Sequence, residues 1–122
     1  MLIYACQEDN NLNIIRTKNF DKSYKYIKKY NKEYTNLNKI IDIIENTSSF
    51  KVLCNLPQVR MYGFERLKHD KKDFYSFNLS KSGGIIRLIV KPLSDDSIEL
   101  FLILISYNHY EDFDPKKVIY YE

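Results

Sequence analysis

Helical periodicity over the first half of the chain and strand texture over the second predict an α+β domain. Its helices should pack on one face of an antiparallel sheet. The chain has three glycines and three prolines, at Pro57, Gly63, Gly83-Gly84, Pro92 and Pro115. They fall between the periodic segments, where turns are expected. No internal repeat, low-complexity tract or linker divides the 122 residues, so one domain spanning 1–122 is expected.

The N-terminal region reads as a strand pair. Leu2–Cys6 is short and apolar, Glu8-Asp9-Asn10-Asn11 is a turn cluster, and Leu12–Arg16 follows. Asn19 or Asp21 is placed to cap a helix. Phe20, Tyr24, Ile27 and Tyr30 recur at helical spacing along it, with Lys22, Lys25, Lys28, Lys29 and Lys32 mostly on the opposite face. Thr35 or Asn36 opens a second helix, whose apolar stripe is Leu37, Ile40, Ile41 and Ile44. Asn46-Thr47-Ser48-Ser49 ends it, and the pair reads as an αα-hairpin. Phe74–Leu79, Ile85–Lys91 and Ser97–Tyr107 then read as three strands. Turns at Lys81–Gly84 and Pro92–Asp96 join them into an antiparallel β-meander.

Hydrophobic residues make up 44% of the chain and charged residues 29%, which excludes the composition of a disordered chain. The longest apolar run, Leu100–Ile105, is a strand's length, and no run approaches the roughly 20 residues of a membrane span. The N-terminus lacks the basic region of a signal peptide, so a cytoplasmic protein without membrane contact is expected. A net charge of +3 permits an anionic partner without requiring one. Cys6 and Cys54 are far apart, and in a reducing compartment they read as buried free thiols. Two histidines and two cysteines this scattered make no legible metal site, and no cofactor is implied.

Three residues stand out chemically. Arg87 interrupts the apolar strand Ile85-Ile86-Arg87-Leu88-Ile89-Val90. By alternation it shares a face with Ile85 and Ile89. A guanidinium there needs a partner or a groove to face, and a cross-strand acid or a reach to the sheet rim would serve equally. Glu65 lies before the meander and His109 after it. Singly, each is an ordinary surface residue type. Together, a carboxylate, a guanidinium and an imidazole are the base, anion stabiliser and acid that RNA cleavage by its own 2′-hydroxyl requires. Lys68, Lys71 and Lys72 flank Glu65 and are the better candidates for holding RNA phosphate. The helix lysines read first as a solvated face, and the tyrosines among them as core and rim.

The ordered set Phe64-Glu65-Arg66-Leu67-Lys68-His69-Asp70, Phe74-Tyr75-Ser76, Arg87-Leu88-Ile89-Val90 and Asn108-His109-Tyr110 resembles the RelE/ParE toxin superfamily. Within it, the YoeB-like branch of ribosome-dependent mRNA interferases is the nearer likeness. The motifs span roughly residues 62–110. Phe77-Asn78 stands where that family often has arginines, and the chain runs on past His109 as a C-terminal extension of about 111–122. The resemblance implies a RelE-like fold and a toxin of a type II toxin–antitoxin pair that cleaves mRNA on the ribosome without a metal. It implies Glu65 as general base, Arg87 as stabiliser of the phosphorane and His109 as general acid. Lys68 would lie near the scissile phosphate, and Tyr110 would position the nucleotide. The implied partners are a cognate antitoxin protein, mRNA and the ribosome. The same superfamily includes ParE-like toxins that bind DNA gyrase and cleave nothing, and the scaffold also suits a catalytically inactive binding module.

Overall fold

A computed structural model of the chain describes residues 11–80, 85–106 and 113–114. Leu2–Cys6, the Lys81–Gly84 turn, Tyr107, His109, Tyr110 and most of the C-terminal extension lie outside the described residues. The order of elements is β1 (Asn13–Arg16), α1 (Lys18–Ile27), α2 (Asn31–Glu45), α3 (Phe50–Cys54), α4 (Pro57–Arg60), β2 (Glu65–Arg66), a single 3₁₀ turn (His69–Lys71), β3 (Tyr75–Asn78), β4 (Ile86–Ser94) and β5 (Ser97–Ile105). The five strands form one mixed sheet in the order β1-β5-β4-β3-β2. The α+β class, the αα-hairpin and the β3-β4-β5 meander are all present.

Several details differ from the sequence expectation. β1 pairs with β5, in parallel, with Asn13 beside Ser97 and Arg16 beside Leu100. The cap of α1 is Thr17 rather than Asn19 or Asp21: its Oγ1 accepts the Phe20 N–H at 2.9 Å. Thr17 wins because the same hydroxyl also donates to the Phe101 carbonyl on β5 at 2.5 Å, a bond no local pattern foretells. α2 starts at Asn31, four or five residues earlier than predicted, so Tyr30 is its cap residue and not the last turn of α1. The hairpin is clasped by the Tyr24 hydroxyl, which meets the Tyr34 hydroxyl at 3.3 Å and donates to Asn38 Oδ1 at 3.0 Å. β4 runs through Pro92 to Ser94, leaving only Asp95 and Asp96 for the turn. A register shift between Pro92 and Ser94 accommodates the missing N–H. That turn is anchored from outside: the Asp95 carbonyl accepts the Phe50 N–H at 2.9 Å, and the Asp96 carbonyl accepts the Asn13 N–H at 2.8 Å. Cys54 is a free thiol but only partly buried.

α1 also solves an edge problem. Among the described residues, β1 ends opposite Leu100, leaving the outer edge of β5 without a strand beyond it. α1 lies against that edge. Thr17 satisfies the Phe101 carbonyl, and Ser23 Oγ accepts the Ile103 N–H at 3.0 Å. Buried backbone groups need such partners.

The sheet has two apolar faces. On the inner face, Phe20 and Ile27 of α1, Leu37, Ile40 and Ile44 of α2, Leu53 and Val59 pack on Phe77, Ile86, Leu88, Val90, Ile98 and Leu100. On the outer face, Leu67, Phe74, Ile89, Phe101 and Phe113 form a second cluster. A bulge links the two. Ile89 pairs with Leu102 but Val90 pairs with Leu100, so Phe101 is the extra residue, and Phe101 and Leu102 both join the outer side.

Thr17→Ala should remove the cap and orphan the Phe101 carbonyl, costing about 2 kcal/mol in urea denaturation, while Thr17→Ser should retain most of the stability.

Candidate active site

The site is built on the outer face, and strand register places its members. Glu65 pairs with Ser76, Ser76 with Ile89, and Ile89 with Leu102, making one row across the sheet. The next row is Asn78, Arg87 and Leu104. The rows lie on the outer face because Leu67, two residues after Glu65, and Ile89, two after Arg87, both belong to the outer cluster. Tyr75, Phe77 and Leu88, the alternate residues, pack toward the helices. Glu65 and Arg87 therefore share a face with two strand spacings and two residues between them. That is roughly 12 Å between their Cα atoms, close enough for their side chains to flank one phosphodiester.

Arg87 is 8% exposed, at the centre of the sheet, while Glu65 on the edge strand β2 is half-buried. Both make further contacts in the fold. Ile85, expected beside Arg87, precedes the strand and packs with the inner cluster instead. Glu99 and Lys91, paired across β5 and β4, are the other charges on this side. Burial pushes the Glu99 carboxyl up, and Lys91 opposite pulls it back down.

The three lysines sit on the turn that joins β2 to β3. Lys68 and Lys72 are exposed and Lys71 is half-buried. Backbone bonds hold this turn: Leu67 N–H to the Phe74 carbonyl at 2.9 Å, and Phe74 N–H to the Lys71 carbonyl at 2.9 Å. Arg66 Nε donates to the Lys72 carbonyl at 2.6 Å. His69 takes φ +60, a left-handed conformation that costs a side-chain-bearing residue about 1–2 kcal/mol. The turn thus sets the lysines at the rim beside Glu65. Lys22 and Lys25 of α1, and Lys28 and Lys29, which follow its end rather than continuing it, belong to the helical layer on the other side of the sheet. There Lys29 Nζ lies 4.0 Å over the Tyr26 ring, and Tyr26 and Tyr30 are exposed.

Two further features of this face lie outside the residues singled out from the sequence. The first is Phe113. It is 2% exposed and lies edge-on to Phe74 (ring centroids 5.0 Å apart) and Phe101 (5.9 Å), so the chain beyond His109 is anchored on the outer face. The second is Ser76. It is 1% exposed, and its hydroxyl is buried with no hydrogen-bond partner. A buried hydroxyl left unpaired costs about 1–3 kcal/mol. The sequence carries only a weak sign of it, a small polar residue alternating with Tyr75 and Phe77. His109 and Tyr110 lie outside the described residues; the flanking Ser106 and Phe113 are both buried. Among the described residues no group of three or more His, Cys, Asp or Glu side chains is gathered to hold a metal ion. No helix among them is long and apolar enough to cross a membrane.

At the level of sequence, no family model and no curated protein matches the chain. Solved structures do match. YafQ from E. coli strain BL21(DE3) superposes with a TM-score of 0.57 at 18% identity, over 78% of this chain and 93% of that one. The YoeB dimer from Staphylococcus aureus gives 0.55 at 19%, over 80% and 99%. The fold is that of the YafQ and YoeB toxins. A protein from Agrobacterium tumefaciens described as a YoeB/ParE toxin gives 0.55 at 14%, over 79% and 100%. YafQ and YoeB have also been solved in toxin–antitoxin complexes, DinJ-YafQ and YoeB-YefM. At these identities the likeness establishes architecture, and the chemistry has to be argued from the residues.

Phe113→Ala should lose about 3 kcal/mol, measured by denaturant unfolding, because it opens a cavity among Leu67, Phe74 and Phe101, whereas Phe113→Leu should lose less than half of that. His69→Gly should gain about 1 kcal/mol by releasing the left-handed backbone, measured the same way.

Proposed function

We propose that this chain is the toxin of a toxin–antitoxin pair and an endoribonuclease that cuts mRNA on the ribosome. The observation that carries this reading is the placement of Glu65 and Arg87 on one sheet face, with three lysines at its rim. The toxin fold adds support. In this reading Glu65 removes the proton from a ribose 2′-hydroxyl, and the oxygen attacks the adjacent phosphorus. Arg87 stabilises the charge that grows on the phosphorane. His109 gives its proton to the departing 5′-oxygen. The bond from phosphorus to the 5′-oxygen breaks, leaving a 2′,3′-cyclic phosphate on one fragment and a 5′-hydroxyl on the other. General acid and general base are each worth about 10²–10⁴, and a preorganised cation about 10²–10³. The nucleophile belongs to the substrate, so this scheme uses no metal and no cofactor. Lys68, Lys71 and Lys72 hold phosphates flanking the cut, and Tyr110 positions the nucleotide. The partner is an antitoxin protein that binds this chain. The setting is the cytoplasm.

A second reading has one observation in its favour. Arg87 is nearly buried and Phe113 occupies the same face, as in a scaffold that binds without cleaving. Growth and message integrity separate the two. Induced expression of the wild type should arrest a bacterium and create new 5′ ends inside translated messages. Glu65→Gln and His109→Ala should each abolish both effects. Arrest that persists in these variants with intact messages supports the non-cleaving toxin, and no arrest supports the inactive module.

On programmed ribosomes, Glu65→Gln and Arg87→Ala should each slow cleavage by about 10² or more. Replacing Lys68, Lys71 and Lys72 with Gln should weaken RNA association and flatten its salt dependence by up to about three phosphate contacts, measured by binding across a salt series.

A further inference from the structure

Among the described residues of the outer face, Ser76 has a buried hydroxyl that the fold leaves unused. Its hydroxyl can donate one hydrogen bond and accept two. Several other serines among the described residues are engaged. Ser23 donates to the Asn19 and Phe20 carbonyls, Ser80 donates to Glu33 Oε2 at 3.1 Å, and Ser49 accepts the Val52 N–H at 3.1 Å. Ser76 Oγ has no partner and no access to water. For packing alone, alanine would do better at this position, since it leaves no polar atom to satisfy.

The neighbours of Ser76 narrow what the hydroxyl is for. On its own strand face they are Phe74 and Asn78, and across the sheet they are Ile89 and Glu65. Phe74 and Ile89 are apolar, and Asn78 Oδ1 already accepts the Ser80 N–H at 3.1 Å. Glu65 stands directly opposite Ser76. Directly opposed residues place their Cβ atoms about 4.5–5.5 Å apart, so a rotamer change brings the Glu65 carboxylate onto the Ser76 hydroxyl.

We propose that Ser76 is a positioning residue for Glu65, donating its hydroxyl hydrogen to one carboxylate oxygen when RNA occupies the outer face, and so aiming the other oxygen at the 2′-hydroxyl. This rests on Glu65 being the base of the proposed reaction. The hydroxyl transfers no proton and touches no substrate atom. It selects one orientation of a side chain carried by a two-residue edge strand. A hydrogen bond donated to the carboxylate also favours the form that accepts the proton. Among the described residues, the charged groups on this face are Arg87 and Lys91 from β4 and Glu99 from β5, with Lys68, Lys71 and Lys72 on the rim turn. Ser76→Ala changes none of them.

The test is single-turnover cleavage of a synthetic message on programmed ribosomes, followed from acid to alkaline pH. It uses the full-length wild type, Ser76→Ala, Glu65→Gln and the double variant, with thermal unfolding of each. Ser76→Ala should keep or raise the unfolding temperature. It should slow cleavage by about tenfold at neutral pH, the worth of one oriented hydrogen bond. Its acidic limb should move to higher pH. In the Glu65→Gln background the same substitution should change the rate by less than about twofold, because its effect acts through the carboxylate. A Ser76→Ala enzyme with the wild-type rate and acidic limb overturns the proposal, and so does an equal loss in both backgrounds. A wild type that cuts nothing at any pH overturns the ribonuclease reading itself, and this outcome is distinct because it appears before any variant is compared.

Discussion

Residues Ile86–Val90 are buried without alternation, which a strand tolerates only when both of its faces are covered. That constraint organises the rest of the molecule. The helices cover the inner face through Leu88 and Val90, and the outer face is closed by Leu67, Phe74, Phe101 and Phe113 around Ile89. β4 must then be interior to the sheet, with β3 and β5 beside it and β1 and β2 at the edges. Arg87 is carried into this setting by its own strand. It is buried between Ile86 and Leu88, and a cation fixed in place is what the proposed stabilisation of transient charge requires.

The two faces divide the labour of the chain. The inner face supplies most of the apolar burial, in a helix-on-sheet core. The outer face is smaller and mixes apolar cover with the groups proposed for chemistry. The bulge at Phe101 matters to both. It turns two successive side chains outward to build the floor under Phe113, and it leaves a carbonyl for Thr17 to fix the start of α1. Phe113 anchors the far end of the segment that contains His109 against the face where Glu65 and Arg87 stand.

What could be read in advance follows from the range of the physics involved. The stripe of α2 and the three meander strands are local patterns, and they were legible. Arg87 was conspicuous because an arginine breaks an apolar run; that it shares a face with Glu65 follows only from the pairing of β2, β3 and β4 in the structure. Contacts distant in sequence were not legible. Thr17 was passed over as a cap because its deciding bond reaches 84 residues along the chain. β1 was paired with its sequence neighbour because nothing local announces a parallel partner in β5. β2 is two residues long and has no period to detect. Ser76 looked ordinary because an unsatisfied hydroxyl exists only once everything around it is placed.

Cleavage of RNA by transesterification on the outer face, as proposed, would fix the chemistry of the fragment ends. The most direct measurement is the chemistry of the ends that the full-length protein leaves on a ribosome-bound message. Transesterification leaves a 5′-hydroxyl on the downstream fragment and a 2′,3′-cyclic phosphate, or the 3′-phosphate it hydrolyses to, on the upstream one. A 5′-phosphate on the downstream fragment, or a message left whole, would contradict it.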